Sequence, residues 1–280
     1  MIYFYAYSNH RSDLDALRRV GALWKALDAR GIPAEILVND YRAQLAGREL
    51  GLPPATTIET VLDIDAVAAY GDTVLIDSPE TLSDELLAHY ASHFSKLFLV
   101  RSCGGTSRFS ERILDPWDPQ EGPLVSAEYE AASSSAKSGR VLIYGDSDYD
   151  KRLLHSVEAF DGLGLELYWG SYFYVKYEEE LLRHFSGLRE SEEYVDVIRQ
   201  SETIVTAMPQ TAAEAAAAGA QTIWLDRGTE PLCVAEALSS WGVRRLPWGD
   251  LETLGKLLND SAPAHLRASS LGRWTEALLD

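Results

Sequence analysis

The chain has 280 residues, 46% of them apolar and 24% charged, with a formal charge of -18 at pH 7 and a pI near 4.7. That length suits two domains of ordinary size, and the composition is that of a folded globular chain, which excludes fibrous and disordered classes. So acidic a chain lacks the basic face that nucleic acid or an anionic membrane would require, whereas a small phosphorylated ligand remains compatible because a few backbone N–H groups can hold it locally.

Cys103 and Cys233 show neither CxxC spacing nor a Cys/His cluster, which predicts free thiols, no structural zinc and a reducing, cytoplasmic setting. The N-terminus, MIYFY, lacks a basic leader, and no run of about 18 apolar residues occurs, so neither export nor stable membrane insertion is expected.

In chain order, short β-rich runs alternate with longer amphipathic ones. Ile2–Tyr7 is expected as strand, Asp13–Arg30 as helix, Ala34–Val38 and Thr73–Asp77 as strands, Leu82–Phe94 as helix and Lys96–Val100 as strand. The nearly continuous apolar character of Val74-Leu75-Ile76 and Leu97-Phe98-Leu99-Val100 predicts strands of a parallel sheet covered on both faces. AASSSAKSG, residues 131–139, then reads as a linker. The alternation restarts with strands at Val141–Tyr144, Leu165–Trp169, Thr203–Ala207 and Thr222–Leu225. Helices are expected at Tyr149–Phe160, Tyr177–Phe185, Glu193–Gln200, Thr211–Ala218 and Cys233–Trp241. Ala264–Leu279 is a final amphipathic helix that can lie on its own domain or cross back to the first. The fold class is therefore α/β, with two Rossmann-like domains whose parallel sheets face a cleft: residues 1–137, residues 138–262, and a C-terminal helix within 263–280.

Ligands of open α/β sheets bind beyond the carboxyl ends of the strands, so the loops there carry the candidates. Gly145-Asp146-Ser147-Asp148 follows a strand and precedes a helix; glycine lets backbone approach a ligand, while Ser147 or Asp148 can equally serve as a helix cap. Thr211 and Glu214 have capping-box spacing, and the same helix start, with Gln210, can face a phosphate while Glu214 accepts from ribose hydroxyls. His89 and His93 lie one helical turn apart without a third ligand, and the aromatics at Trp169, Tyr172, Phe173 and Tyr174 are read first as packing and second as a stacking surface for a base. The acidic run at Glu178-Glu179-Glu180 reads as a solvated helix face.

The order of these features resembles the GT-B architecture, and more specifically the nucleotide-sugar hydrolases of pseudaminic-acid synthesis and their spore-coat-polysaccharide relatives. More distantly it is similar to the second domain of the lipid-linked N-acetylglucosaminyltransferase of cell-wall synthesis. VLIDSPETLSDELL stands where that family has a strand ending in Asp-His-Tyr and a helix, and KLFLV with ERILDPW where it has a strand, a loop and a short strand. GPLVSAEY matches the segment before the linker, YGDSD the Gly-Gly-Ser-Asp loop, and Glu214 in TAAE the glutamate ascribed to the nucleotide ribose.

The departures bear on chemistry. The family's Gly-His-x-x-Arg motif is represented by SNHRSDLDALRR, where matching Arg19 to the motif's arginine puts Asp15 and Ala16 at the glycine and histidine; Asp-His-Tyr has become Asp77-Ser78-Pro79, and the paired aspartates have become Arg101-Ser102. What the resemblance implies is a pocket with His10, Asp77 and Arg101 as its catalytic set. Gly145, Asp146, Ser147, Gln210, Thr211 and Glu214 would bind nucleotide, with neither metal nor cofactor. The expected function is that of a GT-B-type hydrolase or glycosyltransferase acting on a nucleotide sugar, UDP-linked, in surface-polysaccharide or glycoconjugate biosynthesis. The alternative is a non-catalytic binding or interaction protein on the same scaffold. A dehydrogenase-like domain is disfavoured because no GxGxxG follows a strand.

Overall fold

A computed structural model describes residues 1–9, 13–173, 177–260 and 268–280, without the side chain of Glu178. His10, Tyr174 and the segment around Leu266 lie outside the described residues.

In the first half, β1 (Ile2–Ala6), β2 (Ala34–Val38), β3 (Thr56–Thr57), β4 (Thr73–Asp77), β5 (Lys96–Val100) and β6 (Arg112–Leu114) form one sheet. Its helices are α1 (Asp15–Asp28), α2 (Tyr41–Glu49), α3 (Asp84–His93) and α4 (Ala127–Ala131). The second half pairs β7 (Arg140–Ile143), β8 (Glu166–Tyr168), β9 (Leu188–Arg189), β10 (Thr203–Thr206), β11 (Gln221–Asp226) and β12 (Arg244–Pro247). Its helices are α5 (Arg152–Ser156), α6 (Glu178–Leu182), α7 (Tyr194–Gln200), α8 (Pro209–Ala217), α9 (Leu232–Ser240) and α10 (Leu251–Leu257), followed by α11 (Leu271–Leu279).

Every strand pair is parallel. The spatial orders are β3-β2-β1-β4-β5-β6 and β9-β8-β7-β10-β11-β12. Both sheets thus reverse direction between their first and fourth strands, which opens a crevice at β1/β4 and another at β7/β10. The two parallel α/β sheets are those expected from the apolar runs.

Side-chain alternation assigns the layers of the first sheet. Ile2, Phe4 and Ala6 of β1 turn to the α1 side, while Tyr3 and Tyr5 turn to the face covered by Leu87 and Tyr90 of α3. The core on the α1 side continues into the second half: Leu17 and Val20 of α1, Tyr129 of α4, Ala212 to Ala217 of α8 and Trp274 of α11 belong to one buried cluster. All nine residues of α8 are buried, and its alanines let α1, α4 and α7 approach closely. Trp117 stacks on Trp241 of the other half with centroids 5.9 Å apart.

α11 lies against α1, and Arg30, in the turn after α1, pairs with Glu276 at 2.6 Å. Lys96 and Arg112, from the first sheet, donate to the carbonyls of Leu278 and Ala277 at its end. The C-terminal helix therefore packs on the first half.

Two expectations are corrected. Cys103 and Cys233 form a disulfide, Cα atoms 5.6 Å apart across 130 residues of sequence, joining the loop after β5 to α9. The reasoning from free thiols to a reducing compartment falls with it. Among the described residues no helix is long and apolar enough to cross a membrane. The Thr211/Glu214 capping box also does not form, because α8 starts two residues earlier at Pro209. That makes Thr211 a helical residue, and its hydroxyl pairs instead with Tyr194 Oη at 2.8 Å.

Candidate functional site

The carboxyl ends of β1, β4 and β5 open onto a cavity of about 720 Å³, closed on the far side by Pro209 of α8 and Glu230 after β11. Asp77, the last residue of β4, stands in it 6% exposed and is held by a forked pair from Arg19, Nε at 2.8 Å and Nη2 at 3.1 Å. Arg101, first after β5, lines the same cavity. Glu111 shapes the following loop by accepting from the amides of Arg108 and Phe109 at 2.9 and 2.7 Å, and Arg108 is thereby turned to the cavity wall.

The start of α1 crosses from this cavity to the second crevice, and its acids land on backbone amides there. Asp13 Oδ1 accepts from Asp146 N at 3.0 Å, and Asp15 Oδ2 from Gln210 N at 3.3 Å. Arg18, one turn on, forks onto Asp146 with both distances 2.7 Å, and Leu14 N donates to the same carboxylate at 2.7 Å. The guanidinium also lies 4.2 Å from the centroid of the Tyr194 ring. Arg18 and Asp146 are 2% and 0% exposed at the side chain, so this is a fully buried ion pair between the halves.

Such burial sets the electrostatics. Desolvation raises Asp13 to about 7, the negative charges of Asp146 and Asp15 adding to the shift while Arg227 and the Asp146 amide oppose it. Asp15 is raised mainly by burial, against the pull of Arg18 and Arg19. Glu214 is likewise raised to about 7 by burial, opposed by Arg18 and by hydrogen bonds from Tyr194 and Gln210. Since Asp13 and Asp15 also line the cavity, a carboxyl that changes charge near neutrality stands at the meeting point of the two crevices.

Closeness requires glycine at one position and leaves little room at another. A Cβ on Gly170 would come within 2.5–2.6 Å of the Gly145 and Asp146 backbone, and one on Gly145 within 3.0 Å of Asp13 Oδ1. The loops after β7 and β8 are thus pressed together, and Tyr172 N donates to Asp146 O at 2.8 Å.

Of the predicted residues, Asp77 and Arg101 come together on the cavity, and His10 lies outside the described residues. Gly145, Asp146, Ser147, Gln210, Thr211 and Glu214 gather at the second crevice, and the cavity lining reaches none of them. Glu214 is 2% exposed, accepting from Tyr194 Oη at 2.5 Å and from Gln210 Nε2 at 3.3 Å. Asp148, not Ser147, accepts from amides in the first turn of the next helix, those of Leu153 and Leu154, while Lys151 holds the cap position. Tyr172 and Phe173 are core residues. His89 pairs with Asp65 at 3.2 Å, and no metal-holding group of three is present among the described residues. Asp13 and Asp15 were missed as functional groups, although the pattern of an acid, a spacer and an acid at a helix start, with Arg18 three residues after Asp15, is visible in SDLDALRR.

No protein-family model matches the chain, and no curated protein matches its sequence. Solved structures do match. The glycotransferase of kitacinnamycin is similar over 99% of this chain and 93% of its own, with 12% identity and a TM-score of 0.57. The UDP-GlcNAc 2-epimerase of Methanocaldococcus jannaschii, in complex with UDP-GlcNAc and UDP, matches over 100% and 99% of the two chains, with 11% identity and a TM-score of 0.56. The spinosyn rhamnosyltransferase SpnG, complexed with spinosyn aglycone, matches over 99% and 94%, with 14% identity and a TM-score of 0.55. The chain has the GT-B fold shared by these structures.

Proposed function

We propose that the protein binds a nucleotide-linked sugar, UDP-linked, between its halves and transfers the sugar to an acceptor hydroxyl or to water. The observation carrying this reading is the cavity of about 720 Å³ at the carboxyl ends of β1, β4 and β5, walled from the other half by Pro209 and Glu230, with Asp13 poised near neutrality on its wall. In this scheme the ionised Asp13 carboxylate removes the acceptor's proton. The acceptor oxygen bonds to the anomeric carbon as the bond from that carbon to the phosphate oxygen breaks, and the nucleoside diphosphate leaves. The amides of Asp146 and Gln210, which already hold carboxylate oxygens, are the donors proposed for the leaving phosphates, at a helix start suited to negative charge. Asp77 and Arg101 would face the sugar, while Glu214, buried against Tyr194 and Gln210, does not reach the cavity.

Calorimetry against uridine, cytidine and guanosine diphosphates and their sugar conjugates tests binding, and mass spectrometry of the products separates hydrolysis from transfer. Absence of binding at millimolar concentration to any of them overturns the proposal.

A second reading, binding without turnover, is favoured by the same amides being filled: Asp13 and Asp15 occupy the phosphate positions, and Arg18 is committed to Asp146. Product formation that vanishes in Asp13→Asn would exclude it.

A further inference from the structure

Arg101 continues the sheet through its backbone, donating from N to Leu114 O at 2.9 Å. Its guanidinium Nη1 donates to Ser78 O at 3.2 Å, just beyond β4, and to Val100 O at 2.8 Å, the last carbonyl of β5. One corner of the planar group is thus pinned to backbone, which fixes where the opposite edge points. That edge, Nε and Nη2, makes no hydrogen bond among the described residues, and no described carboxylate lies within ion-pair distance of it. The neighbouring acids are engaged elsewhere, Asp77 by Arg19 and Glu111 by the amides of its own loop. Burial pulls the Arg101 pKa down, with Arg108 adding to the effect and Asp77 opposing it. A pinned guanidinium with two parallel N–H groups free is the complement of a carboxylate's two oxygens. β5 is two strands from β1 in the sheet, roughly 10 Å at the usual spacing, so Arg101 stands on the order of one sugar unit away from the crevice into which α1 begins.

We propose that Arg101 reads a carboxylate on the substrate, so that the ligand class of the cleft is an acidic sugar of the uronate type. The proposal rests on the cleft being a sugar site and adds which sugars enter it.

The test pairs UDP-glucuronate with UDP-glucose by calorimetry, and free D-glucuronate with D-glucose by ligand-observed NMR, on the full chain and on Arg101→Gln and Arg101→Lys. The acidic member of each pair is expected to bind about 10-fold tighter or more, as a charge-assisted forked contact allows. Arg101→Gln should abolish that preference, the acidic member losing about 10-fold or more relative to the neutral one, and Arg101→Lys should retain part of it through charge without the fork. Thermal melts confirm folding, and should Arg101→Gln not fold, the wild-type pair and the lysine variant decide. Equal affinity within the UDP-sugar pair overturns the inference and leaves the nucleotide-sugar reading standing. Arg101-dependent binding of glucuronate with no nucleotide bound sustains the inference and removes the nucleotide. Absence of both defeats the two together.

Discussion

The two acids that open α1 each rest on a backbone amide of the other half, and this placement decides what Asp13 can do. Its carboxyl is neutral below about 7 and charged above, so a reaction that uses it as base should gain rate with rising pH through that value and level off beyond it. Asp13→Asn is expected to lower kcat/KM by about 100-fold or more and to flatten that limb; a variant with the wild-type profile would remove Asp13 from the chemistry. Arg18 beside it has a different role, because its charge exists to neutralise Asp146. Arg18→Met leaves a buried carboxylate without its cation, a change expected to cost about 3–5 kcal/mol in urea denaturation. Adding Asp146→Asn should recover most of that loss, and a double variant as unstable as the single one would contradict the pairing.

At the scale of elements, α8 shows why a small-residue helix is placed between layers and how that affects its one acid. Surrounded by α1, α4 and α7, Glu214 titrates at about 7 in the folded chain against 4.5 for an ordinary glutamate. Between those two values the folded state holds the proton that the unfolded state has released, so the Glu214 contribution to stability falls as pH rises from 4.5 to 7. The shift corresponds to about 3 kcal/mol. Glu214→Gln cannot titrate, and a glutamine can still donate to Tyr194 Oη and accept from Gln210. The variant should therefore gain on the wild type by up to about 3 kcal/mol between pH 4.5 and pH 8 in paired denaturation curves; a difference independent of pH would refute the assignment.

Legibility also divides by element. Strands such as β4 and β5 are nearly continuous apolar runs buried between helices, and a pattern that strong is readable in one dimension. β12, RRLP, and α2, YRAQLAGRE, were not anticipated, since an edge strand with two arginines and a helix with few apolar residues carry little periodicity. That Asp77 and Arg101 share one cavity was legible, because one ends β4 and the other follows β5 in the same sheet. The capture of Asp146 by Arg18 was not, because those residues are 128 apart in sequence and meet only when the halves dock.

For the whole molecule, docking of the halves is the controlling variable, and beside the shared apolar core and the amide–carboxylate bonds of Asp13 and Asp15 it is held by the Arg18–Asp146 ion pair, the Trp117–Trp241 stack and the Cys103–Cys233 bond. Only the disulfide is covalent, and Cys103 lies on an exposed loop next to Ser102 of the cavity lining. Closing 130 residues into a loop restricts the unfolded chain, which by the chain-entropy argument is worth about 5 kcal/mol. The bond also limits how far the walls can part, and in the proposed function such parting precedes displacement of Asp13 and Asp15 from their amides by a phosphate. Reduction with dithiothreitol should therefore lower the urea midpoint and speed hydrogen exchange at the amides of Asp146 and Gln210, while Cys103→Ser/Cys233→Ser should show both properties without reductant and respond to none. If the reduced protein kept the oxidised midpoint and exchange rates, the bridge would not be restraining the halves, and their docking would rest on the noncovalent contacts: the shared core, the buried ion pair, the aromatic stack and the amide–carboxylate bonds.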